Sequence, residues 1–191
     1  MVCMQNKLTC VIALCALCAL FAACSDGEKA RLKATTLPTY DKATGKLKEV
    51  TFDFNKNGRI DTWTEMDGAK PVRARVDLDE DGTIDRWEYY DENAKLVKIG
   101  FSRKDDGRPD AWAYRNAQGG VQRIEASSVY DPQKIDRWET YRDGVLANAD
   151  EDQDGDGKPD RRLTYDAAGA IIVIETEADG SGGYRTRARP K

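Results

Sequence analysis

Short segments in which apolar and polar side chains alternate recur along most of the chain and predict β-strands. Apolar residues occupy every second position from Val72 to Leu78 and again from Val97 to Phe101. Trp112 and Tyr114 lie two positions apart, so in a strand they share one face. The spacing of apolar residues is poor for helices. Prolines that interrupt regular structure stand at Pro71, Pro109, Pro132 and Pro159.

Tight turns are predicted at regular intervals between these segments. Each has a long or aromatic residue before an Asp or Asn and an aliphatic residue after it, and Asp-Gly at two of the turns favours a short hairpin connection. The copies are Tyr40-Asp41 to Leu47, Met66-Asp67-Gly68 to Val72, Tyr90-Asp91 to Leu96, Arg115-Asn116 to Val121, Arg142-Asp143-Gly144 to Leu146 and Tyr165-Asp166 to Ile171.

A second signal, rich in Asp and Gly, alternates with these turns at a period of about 25 residues. It begins at Asp53 and returns 24 residues later at Asp77, and all four tryptophans of the chain fall at the same phase of the repeat. The copies are 53–63, 77–87, a degenerate 102–112, a shortened 135–138, 152–160 and a last trace at 177–182.

These patterns together predict an all-β fold. About six hairpin repeats of 25 residues, joined by the Asp-rich loops, form an antiparallel meander over residues 39–191, after an N-terminal signal segment. We expect the tryptophans to stack along one face of the sheet as part of its core.

The loop pattern D-x-[DN]-x-[DN]-G-x-x-D is suited to binding a hard cation. Side chains at positions 1, 3 and 5 converge, Gly at position 6 permits a sharp turn, position 7 offers its carbonyl, and Asp at position 9 completes the shell. Oxygen ligands in a loose geometry favour calcium. The predicted metal ligands are Asp53, Asn55, Asn57 and Asp61 in the first loop, Asp77, Asp79, Asp81 and Asp85 in the second, and Asp152, Asp154, Asp156 and Asp160 in the third.

Not every loop is expected to bind an ion. The first loop has two carboxylates where the others have four and should bind more weakly. Lys104 stands at position 3 of the degenerate copy, and Arg185 at position 9 of the last trace, so both are predicted to be empty. An alternative interpretation is that all the loops are ordinary Asp/Gly turns. Four carboxylates packed together without a cation would repel one another, which favours metal binding.

The N-terminus predicts export and a lipid anchor. An apolar run from Leu8 to Ala23 follows Lys7 and is too short for a membrane-spanning helix, but it fits a signal peptide. Its end, Leu20-Phe21-Ala22-Ala23-Cys24, resembles the lipobox of bacterial lipoproteins. The resemblance implies a signal peptide over 1–23, acylation at Cys24, a tether over 24–38 and, with Ser25 next, the outer membrane of the cell envelope.

The loop beginning at Asp77 resembles an EF-hand, with Ile84 at position 8 and Glu88 at position 12. Thr64 and Leu163 stand at position 12 in the other two complete copies, and 25 residues leave too little chain for two helices. The nine-residue pattern is also similar to calcium loops of integrin-type propellers, dockerins and thrombospondin repeats. The turn halves resemble the tyrosine-aspartate repeats of bacterial surface proteins.

Composition limits the remaining functions. The chain of 191 residues has no histidine and a net charge of −4 with both signs interspersed, which argues against general nucleic-acid binding. All five cysteines lie within residues 3–24, so disulfides are not expected in the repeats. We expect a non-enzymatic, calcium-binding envelope lipoprotein with a structural or interaction role, its partner being another envelope protein or a polysaccharide. The alternatives are a helical EF-hand sensor or buffer and a carboxylate-dependent hydrolase of envelope polysaccharide.

Overall fold

The computed structural model describes residues 35–127 and 134–190, and the elements they form are all strands. The predicted signal peptide, Cys24 and most of the tether lie outside these ranges. The strands are β1 Thr36–Tyr40, β2 Leu47–Phe52, β3 Thr62–Asp67, β4 Lys70–Val76, β5 Arg86–Tyr90, β6 Leu96–Phe101, β7 Ala111–Arg115, β8 Val121–Ser127, β9 Ile135–Arg142, β10 Val145–Glu151, β11 Arg161–Tyr165, β12 Ile171–Ala178 and β13 Tyr184–Ala188.

The thirteen strands form one antiparallel sheet whose spatial order is the order in the sequence. The predicted all-β meander is therefore confirmed. Strand β1 begins at Thr36, so the last three residues of the predicted tether belong to the sheet. The alternative of a helical EF-hand sensor needs a helix on each side of a loop. The complete loops are flanked by strands, and this alternative is excluded. Within the part of the chain that the structure describes, no helix has the length and apolar character needed to cross a membrane.

The predicted tight turns join alternate pairs of strands at one end of the sheet. In the hairpin of β9 and β10, Arg142 pairs with Val145, so Asp143 and Gly144 alone form the connection. Both have positive φ, 52° and 79°, as a type I′ turn requires. The long Asp-rich loops join the remaining strands, so they all lie at the opposite end of the sheet from the turns.

The four tryptophans lie in one row on one face of the sheet, which we call the tryptophan face. Cross-strand pairing runs from Trp63 through Arg75 to Trp87, then through Gly100 to Trp112 and through Glu125 to Trp138. Each tryptophan is thus separated from the next by a full strand, and all four are only half-buried. The expected direct stack is wrong, because the return strand of every hairpin inserts a residue of its own into the row.

The opposite face holds most of the buried apolar side chains of the described residues. They are Ala74, Val76, Ala111, Ala113, Ala126, Ala149 and Leu163, with Val173 on the tryptophan face. These side chains are mostly small and lie beside longer ones on neighbouring strands. Ala113, for example, pairs with Ile99 on one side and Ile124 on the other. The apolar core is thin, so the ends of the sheet must contribute to its stability.

The two outermost strands present unpaired backbone groups, which in many proteins invite association with another strand. Pro38 in β1 lacks a backbone N–H and weakens that edge as a template for pairing. Strand β13 carries exposed Arg185 and Arg187. Proline and charge are both features that discourage edge-to-edge association.

Candidate metal centre

The complete loops share one backbone conformation, in which the Asp at position 1 holds the turn closed. In each loop the N–H of the Gly at position 6 donates to Oδ2 of that Asp. The distances are 2.8 Å from Gly58 to Asp53, 3.0 Å from Gly82 to Asp77 and 2.7 Å from Gly157 to Asp152. The three carboxylates are buried, with 2, 4 and 7% of their surface exposed. A buried acid at this position is retained in all three loops.

The residues at positions 5 and 9 are also fixed by the backbone. Asp85 at position 9 accepts a hydrogen bond from Leu78 N–H at position 2, and Asp160 accepts one from Gln153 N–H at 2.9 Å. Asp81 at position 5 accepts one from Thr83 N–H at 2.6 Å. The loop thereby turns its carboxylates inward around one point, as the sequence pattern predicts.

The loop of residues 77–85 has the strongest features of a cation site. Carboxylate oxygens of Asp77, Asp79 and Asp85 all lie within 4.8 Å of one another, so these side chains can hold a metal ion. Asp77 is 4% exposed, and its Oδ1 atom is buried without a hydrogen-bond partner. Burying a carboxylate oxygen without a partner costs free energy, and a cation placed among the three carboxylates would remove that cost.

The loop of residues 152–160 brings together three carboxylates in the same way. Oxygens of Asp152, Asp154 and Asp160 lie within 4.8 Å of one another. Asp156, the fourth predicted ligand, accepts a hydrogen bond from Lys158 N–H but is not part of this group. These side chains can also hold a metal ion.

A cation already lies beside this loop. Lys134 Nζ is 3.8 Å from Oδ2 of Asp152. Burial favours the neutral form of Asp152, but hydrogen bonds from Gly157 and Gly155 N–H and the charge of Lys134 outweigh it, so the pKa of Asp152 lies below its ordinary value. Asp152 is thus ionised and ready to bind a cation, but Lys134 competes with one.

The loop of residues 53–61 is organised differently. Asp53 and Asp61 are both buried, and each accepts backbone hydrogen bonds like its counterparts. The side-chain amides of Asn55 and Asn57 donate to the carboxylate of Glu80, the residue at position 4 of the following loop. A third carboxylate, absent from the loop itself, is therefore supplied by the next repeat.

The degenerate loop of residues 102–110 contains an internal cation. Arg103 Nε donates to Oδ1 of the buried Asp110 at 3.0 Å, and its guanidinium also contacts the carbonyl of Ser127. The carboxylate at position 9 is thus paired with an arginine of its own loop, although its Oδ2 atom has no hydrogen-bond partner.

Two acidic residues that the sequence analysis did not select reach these loops from the following repeat. One is Glu80. The other is Asp105, whose carboxylate lies within 4.8 Å of Asp79 and Asp81. The pKa of Asp105 is raised, first by the charge of Asp81, then by burial and by Asp79 and Asp85. Both stand at position 4 of a loop, one period after the loop they approach, and this shared phase was the available signal.

Glu88, at the position where an EF-hand places its last ligand, lies outside the loop. It belongs to strand β5, forms an ion pair with Arg86 at 3.0 Å and accepts a hydrogen bond from the hydroxyl of Tyr90. The resemblance to an EF-hand therefore ends with the ninth residue of the loop.

No family model and no curated protein matches the chain. Solved structures with a similar sheet include TarM of S. aureus, in a complex with Fondaparinux, alpha-GlcNAc-glycerol and UDP. It is 15% identical with a TM-score of 0.39, and the match covers 53% of this chain and 21% of TarM. Another is the assembly of accessory secretory proteins 1, 2 and 3 of Streptococcus pneumoniae, which is 17% identical with a TM-score of 0.41 and covers 56% and 19%.

A third match is the GtfA/B complex bound to UDP and GlcNAc, at 13% identity and a TM-score of 0.32, covering 62% of this chain and 22% of that one. The chain spans about a fifth of each matched structure. The expectation of a non-enzymatic protein is contradicted by these matches, since UDP and GlcNAc are bound in two of the matched structures, and it is withdrawn. Identities and TM-scores this low assign no activity to the chain.

Proposed function

We propose that the chain is a calcium-binding repeat protein whose Asp-rich loops hold ions along one end of the sheet and make it rigid. The observation that carries this proposal is the buried Oδ1 atom of Asp77, which has no hydrogen-bond partner and lies close to the carboxylates of Asp79 and Asp85. A hard dication satisfies that oxygen and neutralises the mutual repulsion of the three acids.

Calcium is favoured over other metals by the chemistry of the ligands. The loops offer carboxylate, amide and carbonyl oxygens, and the chain has no histidine. Calcium accepts six to eight such ligands in an irregular shell, whereas magnesium requires a compact octahedron and gives up water reluctantly. Extracellular loops of this type bind calcium with a dissociation constant of about 0.1–1 mM, so the ion serves as a permanent structural component rather than a signal.

Calcium would compensate for the thin apolar core. Each site lies between two strands of consecutive hairpins, so an ion bound there joins one repeat to the next. At a calcium concentration about a hundredfold above the dissociation constant, each occupied site adds about 2.7 kcal/mol to the free energy of unfolding. Two or three such sites would supply a large part of the stability of a typical domain, which is about 5–15 kcal/mol.

We further propose that the chain is anchored by acylated Cys24 to the outer membrane of the bacterial cell envelope and presents the sheet to an envelope protein or polysaccharide. The support is the sequence from Leu20 to Ser25, which resembles a lipobox. Radiolabelled palmitate should label the wild-type chain and not a Cys24→Ala variant, which should be released from the membrane fraction. Equal labelling of both variants would refute the anchor.

The test of calcium binding is the thermal unfolding of the full chain in millimolar calcium, millimolar magnesium and chelator, followed by tryptophan emission. Trp63 and Trp87 each follow the last Asp of a loop by two residues and should report occupancy. We expect the melting temperature to rise strongly with calcium alone. Asp77→Asn should remove part of that rise. The matched control is Asp67→Asn, which removes the same charge from an exposed turn at the opposite end of the sheet and should retain all of it. Identical curves in calcium and chelator would refute the proposal.

A further inference from the structure

The residue at position 4 of a loop points toward the loop of the preceding repeat. Glu80 does so in the second loop, where its carboxylate accepts hydrogen bonds from the side chains of Asn55 and Asn57, at 2.5 Å in the case of Asn57. Asp105 occupies the same position in the degenerate loop and approaches Asp79 and Asp81. The direction is thus a property of the loop conformation and is the same in two consecutive repeats.

The backbone at position 4 explains this direction. Glu80 and Asp105 have φ values of 63° and 56°, in the left-handed region that side chains other than Asn, Asp and Gly seldom occupy. The left-handed residue turns its side chain out of its own loop. Neither residue therefore contributes to the ligands of the loop in which it stands.

We propose that Asp105 is a ligand of the metal site in the loop of residues 77–85, so that this site is built by two repeats. The proposal rests on the calcium-binding function proposed above and identifies an additional ligand of the same site. Asp79 belongs to both groups of close carboxylates, the one with Asp77 and Asp85 and the one with Asp81 and Asp105. The unpartnered, buried oxygen of Asp77 is the independent sign that a cation belongs among them.

This assignment gives the degenerate loop a role. Its own position 9 carboxylate, Asp110, is paired with Arg103, and Lys104 replaces the acid at position 3. The loop nevertheless keeps the conformation of the complete loops, including positive φ at Asp105 and Gly107. Retaining that conformation holds Asp105 against the preceding site. The degenerate loop thus serves as a donor of one carboxylate to its neighbour.

The glycine at position 6 provides a separate reporter for each loop. The amide of Gly82 donates to Asp77 and that of Gly157 donates to Asp152, so calcium bound in either loop should shift the corresponding amide resonance. A calcium titration of the full chain labelled with ¹⁵N-glycine therefore measures the two affinities in one sample. The site at 152–160 serves as an internal reference.

The decisive variant is Asp105→Asn, and Asp143→Asn is its matched control. Both positions have positive φ, 56° and 52°, which Asn tolerates, and both variants lose one negative charge. Asp143 lies in a tight turn at the other end of the sheet. We expect Asp105→Asn to raise the calcium midpoint of Gly82 about tenfold, because calcium affinity depends on the number of charged ligands, and to leave that of Gly157 unchanged. Asp143→Asn should change neither.

Asp105→Glu distinguishes the charge from the shape of the loop, since Glu occupies the equivalent position at Glu80. This variant should restore most of the affinity reported by Gly82. If Asp105→Asn leaves the midpoint of Gly82 within twofold of the wild type, Asp105 is not a ligand and the proposal is wrong, while calcium binding by the loop stands. If the wild-type glycines do not respond to millimolar calcium, the proposed function fails, and the assignment of Asp105 fails with it.

Discussion

Replacing Gly100 with alanine should destabilise the sheet, although alanine is ordinarily the better residue in a strand. Gly100 is buried in β6, where it pairs with Trp87 on one side and Trp112 on the other. A Cβ atom at this position would lie 2.6 Å from Cζ3 and 3.0 Å from Cε3 of Trp112. The indole ring thus covers the glycine, and there is no room for a methyl group beneath it.

The magnitude follows from three contributions. Carbon atoms in contact prefer separations of about 3.5–4 Å, so the ring must move by about 1 Å. Overpacking of this kind costs about 1–3 kcal/mol. The movement also disturbs Lys98, whose Nζ lies 3.8 Å from the ring centroid, in an interaction that contributes about 0.5–1 kcal/mol. Alanine returns about 0.5–1 kcal/mol through the backbone. The net effect of Gly100→Ala is a loss of about 2 kcal/mol.

The assay is equilibrium unfolding in urea in the presence of saturating calcium, with tryptophan emission and far-UV circular dichroism as probes. Gly100→Ala should lower the midpoint without changing the slope. Trp112→Leu removes the ring that covers the glycine, and in that background Gly100→Ala should be neutral or slightly stabilising. If the alanine substitution is equally damaging with and without the indole, the close contact is not the cause and the reasoning fails.

Three further results are expected. Arg103→Met should lower the free energy of unfolding by about 1–3 kcal/mol in urea denaturation, because it leaves the buried carboxylate of Asp110 without its charged donor; an unchanged midpoint would contradict this. Lys134→Met should lower the calcium midpoint of the loop at Asp152 several-fold in a glycine-resolved titration, because the competing charge is removed; a higher midpoint would refute the competition. Burial, aided by a neighbouring carboxylate, raises the pKa of Tyr141 to about 12, so the stability that this residue adds is present below pH 10 and lost between about pH 10 and 12. Absorbance at 295 nm should show one late tyrosine that is missing in Tyr141→Phe, and equal titration curves would exclude it.

The phase of the repeat predicted the fold because each kind of connection has its own chemistry. Asp143-Gly144 marks a two-residue turn, and the pattern from Asp77 to Asp85 marks a nine-residue loop, so strands between them could be placed from the sequence. The position of the tryptophans relative to one another could not. Alternation shows which face a side chain occupies, but the residue opposite Trp87 depends on the register of the next hairpin, which places Gly100 there.

The metal ligands show the same division. The sequence pattern selects Asp77, Asp79 and Asp85, and the structure brings them together. It could not select Asp105 or Glu80, because position 4 is variable in the pattern and its side chain leaves its own loop. Only the left-handed backbone at that position, combined with the distance to the adjacent hairpin, shows that an acid there acts on the preceding repeat.

The strict agreement between strand order and sequence order has a consequence for how the molecule unfolds and how it can change in length. Because β1 to β13 pair only with their neighbours along the chain, the sheet is a one-dimensional array in which stability is the sum of individual units and nearest-neighbour interfaces. Hydrogen exchange should therefore proceed from both outer edges inward, with the central hairpins protected longest. A whole unit of about 25 residues can be duplicated or deleted without altering the path of the rest, provided that the edge strands and the acid at the start of each new neighbour are kept.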